Sequence, residues 1–292
     1  MSAVTDLAPA ATPSAPPLLA DQRELARARR DRIDRIAKWV LPVLVMAIAL
    51  GIWEFIVRYN AIPRYILPAP SLVFTTLIAD WWSLFPSLLI TLQITFSALA
   101  IAVIGGVGLA ILFTQSKWME FSFFPFAVVL QVTPIIAIAP LIVIYVSEPY
   151  VALLICAWIV AFFPILSNTT LGLNSADHNL RNLFELYGAS RWQTLLHLRL
   201  PAAMPYFLAG LKVAGGLSLI GAIVAEFVIG AGGRGSGLAF RILEASYRLN
   251  TARMFAAIIL ISITGILIFM VMSLISHLLL RKWHESALKR EN

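Results

Sequence analysis

The chain alternates between long apolar runs and shorter polar segments. Six apolar runs are separated by charged or proline-containing stretches, at about residues 39–57, 86–114, 121–146, 151–171, 206–229 and 254–280. Each run is close to or longer than the roughly 20 residues that a helix needs to cross a bilayer. The pattern therefore predicts an all-α membrane protein with six transmembrane helices, in a domain that spans residues 39–280.

The polar segments predict two tails and two long loops. Residues 1–20 are rich in Ala, Pro and Ser, and we expect a disordered tail. Residues 21–38 hold seven Lys/Arg and four acids in a helical pattern, which predicts a basic amphipathic helix in the cytoplasm. Between the apolar runs, the long loops lie at residues 172–203 and 230–253, and residues 281–292 form a basic cytoplasmic tail.

The third apolar run contains three prolines, Pro125, Pro134 and Pro140. Proline removes a backbone donor and breaks a helix in water. In a membrane bundle, neighbouring helices and hydroxyl groups can satisfy the freed carbonyls. We therefore expect one transmembrane span from about Phe121 to Val146.

The distribution of positive charge orients the chain. Six spans place both termini on one side, and that side carries 15 Lys/Arg, against six on the other. The richer side should be cytoplasmic, so the loop at residues 172–203 faces the cytoplasm. This asymmetry also explains the net charge of +7 without nucleic-acid binding. Only 13% of the residues are charged, about half the fraction usual in soluble domains.

No motif in the chain points to catalysis, so we expect no catalytic residue and no enzymatic activity. The four histidines have no metal-ligand spacing, and the single cysteine, Cys156, lies in an apolar run. The Gly-rich stretch from Gly230 to Gly237 lacks the Lys-Ser/Thr ending of a phosphate-binding loop. We expect a chain that binds neither a metal nor a cofactor, and a partner chain would have to supply any ATP hydrolysis.

A few polar side chains inside the apolar runs are candidates for lining a solute pathway. Gln131 and Thr133 precede Pro134 near mid-membrane, in the kind of interrupted helix that transporters use for solutes. Glu226 is an intramembrane acid, and such groups often mark functional sites. The alternative interpretation of Glu226 is an interfacial carboxylate that hydrogen-bonds a neighbouring helix end. Gln93 completes the predicted set, although hydrogen bonding between helices would explain each of these residues equally well.

The loop RNLFELYGASRWQTLLHLRLP, Arg181 to Pro201, carries a recognisable spacing. Gly188 is followed by nine residues, then Leu198, one residue, and Leu200-Pro201. This spacing resembles the conserved cytoplasmic loop of ABC-importer permeases, which forms a coupling helix that docks on the ATPase subunit. The family's Glu-Ala-Ala start is replaced here by Asn-Leu-Phe. The resemblance implies an ATPase coupling loop that includes Asn182, Glu185, Gly188, Ala189, Ser190, Leu198, Leu200 and Pro201.

The similarity extends over about residues 67–280. It is to the nitrate/sulfonate/taurine/bicarbonate-type branch of the binding-protein-dependent permeases, and it rests on LPAPS (67–71), TPIIAIAPL (133–141), AFFPILSNT (161–169), GASRW (188–192), LPAAMPY (200–206) and AEF (225–227). The resemblance implies a type I ABC importer permease fold in the bacterial inner membrane, surrounded by membrane lipid. It also implies a second permease copy in a homodimer, two cytoplasmic ATPase subunits that bind ATP and Mg, and a periplasmic or lipid-anchored solute-binding protein.

The transported solute stays open at this point. The branch imports sulfonate-, nitrate- or taurine-like anions, and some members import pyrimidine or flavin vitamin precursors. The apolar runs hold few cations and one clear acid, Glu226, which favours a neutral or aromatic solute. The alternative function is a stand-alone secondary transporter or an intramembrane enzyme without an ATPase partner. Such a carrier would usually show internal repeats or several intramembrane charges, and the sequence shows no convincing repeat.

Overall fold

The computed structural model describes residues 17–230 and 235–281, and these residues form helices and connecting turns without a β-strand. The chain divides into two compact units, with the boundary after residue 61. The first contains a single helix, α1 (Pro17–Tyr59), whose segment Val40–Tyr59 is apolar and long enough to span a membrane. The basic segment 21–38 is therefore continuous with the first span.

The start of α1 corrects one boundary. Pro17 opens the helix, so residues 17–20 are helical and not disordered. Proline is favoured in the first turn of a helix, and the leucines and alanine that follow it are good helix formers. The remainder of the predicted disordered tail lies outside the described residues.

The second unit contains all the other helices. They are α2 (Pro70–Ala79), α3 (Trp81–Gln115), α4 (Lys117–Val132), α5 (Ile135–Tyr145), α6 (Pro149–Asn174), α7 (His178–Leu186), α8 (Arg191–Thr194), α9 (Leu200–Ile229), α10 (Leu238–Tyr247) and α11 (Thr251–Leu280). A π-helical turn, Leu195–Arg199, joins α8 to α9. Among the described residues of the second unit, α3, α6, α9 and α11 each lie in a straight stretch long and apolar enough to cross a bilayer.

Helices α3, α6 and α9 form the centre of this unit, with α6 packed along both of the others. Small residues bring these helices close together. A Cβ atom added at Gly221 of α9 would lie 2.9 Å from the Cα atom of Ala157 in α6. Further along α6, the side chains of Ile165 and Leu166 are fully buried. Close backbone approach is a common basis of helix association in lipid, and here it makes α6 and α9 a tightly packed pair.

The third span is broken into two helices, at the proline where the sequence predicted an interrupted helix. Helices α4 and α5 meet at an angle of 104° at Thr133-Pro134. Proline disfavours the α conformation of the residue before it, and Thr133 is extended, with φ −75° and ψ 123°. The Thr133 hydroxyl donates to the Val129 carbonyl at 2.6 Å. Pro125 and Pro140 lie inside helices. The position of a proline along the run therefore decides whether it breaks the helix. Counted as one bent span, this pair brings the total to six.

Both long loops contain helices. In the first, α6 continues to Asn174, and α7, α8 and the π-helical turn fill the remainder up to Leu200. In the second, Gly230 ends α9 with a left-handed conformation, φ +57°, which glycine adopts without steric cost. Helix α10 follows, and α11 begins at Thr251. Residues 231–234 lie outside the described part of the chain, as does the predicted basic tail at 281–292 apart from Arg281.

Candidate functional site

The predicted coupling loop is a helix–turn–helix with defined ends. Asp177 caps α7, because its carboxylate accepts the Asn179 N–H at 2.6 Å. Gly188 ends the helix in the left-handed region, with φ +68°. Its N–H donates to the Glu185 carbonyl at 3.0 Å, and the Ala189 N–H donates to the Phe184 carbonyl at 2.9 Å. These bonds satisfy the last carbonyls of α7 and reverse the chain sharply at Gly188.

The second short helix starts with a reciprocal cap. The Ser190 hydroxyl accepts the Gln193 N–H at 3.3 Å, and the Gln193 side chain accepts the Ser190 N–H at 2.7 Å. This capping box satisfies two backbone donors that a helix start otherwise leaves free. The π-helical turn then continues without interruption into α9. Leu195 is fully buried and Leu198 is nearly so, which anchors the segment in the core beneath it.

This segment exposes large apolar side chains. Leu186, Tyr187 and Trp192 are 84%, 81% and 65% exposed. Beside them is a cavity of about 520 Å³, lined by Leu183, Phe184, Tyr187, Gly188, Ala189, Gln193 and His197. Of the other predicted coupling residues, Asn182 and Glu185 are exposed on α7, whereas Leu200 and Pro201 begin α9. Large apolar side chains are thus exposed within a segment that is otherwise polar.

A second cavity lies at the break between α4 and α5. Its volume is about 360 Å³, and its walls come from both sides of the break, from α6 and from α9: Leu130, Gln131, Val132, Thr133, Pro134, Ile135, Ile159, Val160, Pro164 and Leu217. Gln131 and Thr133 supply polar groups, and none of these lining residues carries a charge. The structure thus brings together two of the four predicted pathway residues. Gln93 is exposed on α3, and neither it nor Glu226 lines this cavity.

Glu226 lies in a different polar cluster. Only 2% of its surface is exposed, and its carboxyl oxygens accept the Thr91 hydroxyl at 2.7 Å and the Ala239 N–H at 2.9 Å. The Leu238 N–H donates to the Thr91 hydroxyl at 2.9 Å. Two free N–H groups at the start of α10 are thereby satisfied. Glu226 thus hydrogen-bonds a neighbouring helix end, as the sequence-based alternative described, and joins α3, α9 and α10.

Thr91 was missed by sequence reasoning, because a single threonine in an apolar run carries no signal of its own. A threonine hydroxyl in a helix can bond the carbonyl four residues earlier, and Thr91 lies 3.2 Å from the Ser87 carbonyl. Its partners lie 135 and 147 residues away in the sequence. Tertiary packing alone brings them together.

Arginine side chains link α10 and α11 to the first part of α3. Arg241 of α10 donates to the Ser87 hydroxyl at 2.9 Å and pairs with Glu244 at 3.0 Å. The hydrogen bond from Arg241 lowers the pKa of Glu244 below its ordinary value. Arg253 of α11 pairs with Asp80 at 3.4 Å. Within the described residues, no group of three His, Cys, Asp or Glu side chains could hold a metal ion.

Known proteins share both the fold and the sequence pattern. A solved amino acid ABC transporter superposes with a TM-score of 0.56 at 20% identity, covering 70% of this chain and 96% of that one. The formylaminopyrimidine transport permease protein ThiX of Halalkalibacterium halodurans is 31% identical over 82% of this chain and 94% of its own. The putative aliphatic sulfonates transport permease protein SsuC of Bacillus subtilis is 29% identical over 85% and 89%.

The sequence model of the binding-protein-dependent transport system inner membrane components matches residues 102–284, which include the helix break, the helix–turn–helix and Glu226. The match covers more than half of the chain, and the helices agree with a type I permease fold. The relatives are transport proteins whose ATPase is a separate subunit. The chain therefore belongs to the binding-protein-dependent inner membrane components, as a multi-pass permease subunit of an ABC importer of the nitrate/sulfonate branch in the bacterial inner membrane.

Proposed function

We propose that residues 178–199, here called the coupling segment, form the surface on which a separate ATPase subunit docks. The exposure of Leu186, Tyr187 and Trp192, together with a cavity of about 520 Å³ that Tyr187 lines, carries this proposal. Aromatic side chains next to a pocket are typical centres of protein interfaces. ATP and Mg bind to the ATPase subunit and not to this chain.

The coupling segment is built to transmit movement. The capping box of Ser190 and Gln193 fixes the start of α8, and the π-helical turn runs directly into α9. Leu195 and Leu198 are buried beneath the segment, so a displacement of the segment must displace the core around them. Interiors packed in this way respond by shifting between discrete arrangements. Movement of the docked ATPase therefore reaches α9, and through Leu217 it reaches the cavity at the helix break.

The proposed assembly contains three kinds of subunit. Two copies of this chain enclose the pathway as a homodimer, two ATPase subunits bind the two coupling segments, and a solute-binding protein outside the membrane delivers the solute. ATP binds more tightly to one arrangement of the ATPases, and this difference in affinity drives alternating access. The family supports partners of these two kinds; the stoichiometry is our proposal.

The cavity at the break favours a small, uncharged solute with an apolar face. Its volume of about 360 Å³ suits a single heterocyclic ring with substituents. Gln131 can donate and accept hydrogen bonds, and the other walls are mostly aliphatic. A sulfonate or nitrate anion would find no cation among these lining residues, and burying an unpaired charge is costly. A pyrimidine-like compound, such as the solute named for ThiX, fits this chemistry better than the sulfonates named for SsuC.

Two tyrosines give a matched test of docking. Tyr187 directly follows α7 and Tyr247 is the last residue of α10, and they are 81% and 79% exposed. Replacing Tyr187 with Asp should weaken the affinity of the purified permease for its ATPase about 30-fold, because burial of an aromatic anchor contributes roughly 2 kcal/mol. Tyr247→Asp should leave the affinity unchanged. Equal effects of the two substitutions on the affinity, or no effect of either, would show that Tyr187 is not part of the interface.

Uptake into proteoliposomes that contain the full importer tests the solute. Excess unlabelled formylaminopyrimidine should compete for uptake of the labelled compound, whereas an aliphatic sulfonate should not. Gln131→Leu should lower uptake while ATPase binding to the coupling segment stays normal. Saturable sulfonate uptake by the same importer, insensitive to the pyrimidine, would contradict the proposed solute class.

A further inference from the structure

A strongly cationic cavity lies between the coupling segment and the turn that joins α3 to α4. Its volume is about 430 Å³, and its walls are Thr114, Gln115, Lys117, Arg181, Glu185, Ala189, Arg191, Thr194 and Arg199. Four of these side chains are cations and one is an anion, which gives the lining a net charge of +3. This cavity is distinct from the apolar surface around Tyr187, although Ala189 borders both.

The arginines are not neutralised by ion pairs of their own. The ion pairs found among the described residues involve none of the cavity's four cations. Arg199 donates to the Thr114 carbonyl at 3.2 Å, and its charge is repelled by Arg181 and attracted by Glu185. The Nε atom of Arg181 is buried and has no hydrogen-bond partner within the described chain. A buried donor without a partner is unfavourable, so the lining offers donors and positive charge for a ligand.

We propose that this cavity binds a phosphate group. Arginine presents a planar set of donors that matches the oxygens of phosphate, and three arginines converge here on one space. The cavity is at the cytoplasmic ends of the spans, where basic pockets meet anionic lipid headgroups and phosphate-bearing solutes of the cytoplasm. Either an anionic phospholipid headgroup or a free phosphate supplies the same chemistry.

Occupancy of the cavity has a mechanical consequence. Thr114 lies near the end of α3 and Lys117 begins α4, whereas Arg181 and Arg191 belong to the coupling segment. A phosphate group between them neutralises the repulsion among the cations and ties the segment to the cytoplasmic end of α3. The proposal does not depend on the identity of the transported solute or on the ATPase contact at Tyr187.

Binding to the full-length protein in lipid nanodiscs tests the proposal in two arms. In the first, nanodiscs of neutral phosphatidylcholine are titrated with inorganic phosphate. In the second, phosphatidylglycerol is added to the phosphatidylcholine, and tightly held phosphatidylglycerol is counted by native mass spectrometry. One arm should show a saturable site that Arg181→Gln and Arg191→Gln each weaken at least about tenfold. Saturation with inorganic phosphate identifies a free anion, and retention of phosphatidylglycerol alone identifies a lipid headgroup.

The controls separate this site from general charge effects. Arg281→Gln removes the same charge at the cytoplasmic end of α11, outside the cavity, and should leave binding unchanged. Lys117 is exposed at the start of α4, so Lys117→Gln should weaken binding without disturbing the fold, even if an arginine variant is unstable. Absence of a saturable site in both arms, or equal binding by the wild type and the Arg181, Arg191 and Lys117 variants, overturns the proposal.

Discussion

The contact between Glu226 and Gly237 supports a quantitative prediction. A Cβ atom at position 237 would lie 2.0 Å from one carboxyl oxygen of Glu226, so Gly237→Ala must displace that carboxyl group. The displaced group would lose the Thr91 hydroxyl at 2.7 Å and the Ala239 N–H at 2.9 Å. Losing two buried hydrogen bonds, with one backbone donor left unpaired, should lower the free energy of unfolding by about 3 kcal/mol.

Removing Glu226 should relieve the clash. Glu226→Ala leaves the Ala239 N–H unpaired, while the Thr91 hydroxyl can still donate to the Ser87 carbonyl at 3.2 Å. We expect this change alone to cost about 2 kcal/mol. In the double variant the alanine at 237 occupies the space that the carboxyl group has left. Its total cost should therefore be close to that of Glu226→Ala alone, which makes the two single effects non-additive by about 3 kcal/mol.

Unfolding of the detergent-solubilised protein measures all three variants, and Gly235 provides the control. A Cβ atom at Gly235 meets nothing within 4 Å, so Gly235→Ala in the same loop should change stability by less than about 0.5 kcal/mol. If the effects of Glu226→Ala and Gly237→Ala simply add, the two residues do not interact. Glu226 would then not be the cap of α10.

Three further predictions concern the coupling segment and the helix break. Gly188→Val forces a branched residue to φ +68°, at a cost of about 1–2 kcal/mol, and should uncouple ATP hydrolysis from uptake. The control Gly216→Ala, where a Cβ meets nothing within 4 Å, should leave the coupling intact. Normal uptake with Gly188→Val would contradict the role of the turn. Ser190→Ala removes half of the capping box and should speed hydrogen exchange at Gln193 about fivefold, equivalent to roughly 1 kcal/mol; unchanged exchange would show that the box contributes nothing. Thr133→Val removes the hydroxyl that hydrogen-bonds the Val129 carbonyl at the helix break and should lower uptake without lowering expression. Unaltered uptake would show that this hydroxyl has no part in transport.

The sequence predicted the spans well because their lengths and apolar content are local properties. The turn at Gly188 was also predictable, since glycine at a helix end followed by a fixed spacing to Leu200-Pro201 is visible in the sequence. The break at Thr133 was harder to predict. Three prolines occur in that run, two are tolerated inside helices, and the sequence alone does not show which one lies where a cavity can open.

Contacts between distant parts of the chain explain what the sequence could not reveal. Thr91 and Glu226 are 135 residues apart, and their pairing depends on how α3, α9 and α10 pack. The cationic cavity is a similar case. Lys117 and Arg199 count equally toward the charge asymmetry that orients the chain, but only the fold brings them, with Arg181 and Arg191, around one space.

The central claim is that the coupling segment faces the cytoplasm and is covered by a separate ATPase. Leu186 is 84% exposed on that segment, and Cys156 is fully buried in α6. A Leu186→Cys variant made in a Cys156→Ala background can therefore be labelled at a single position with a membrane-impermeant thiol reagent. We predict labelling in inverted vesicles stripped of the ATPase, protection when the ATPase is added back, and no labelling in intact cells. Labelling from outside intact cells, or labelling that the ATPase leaves unchanged, would contradict the claim.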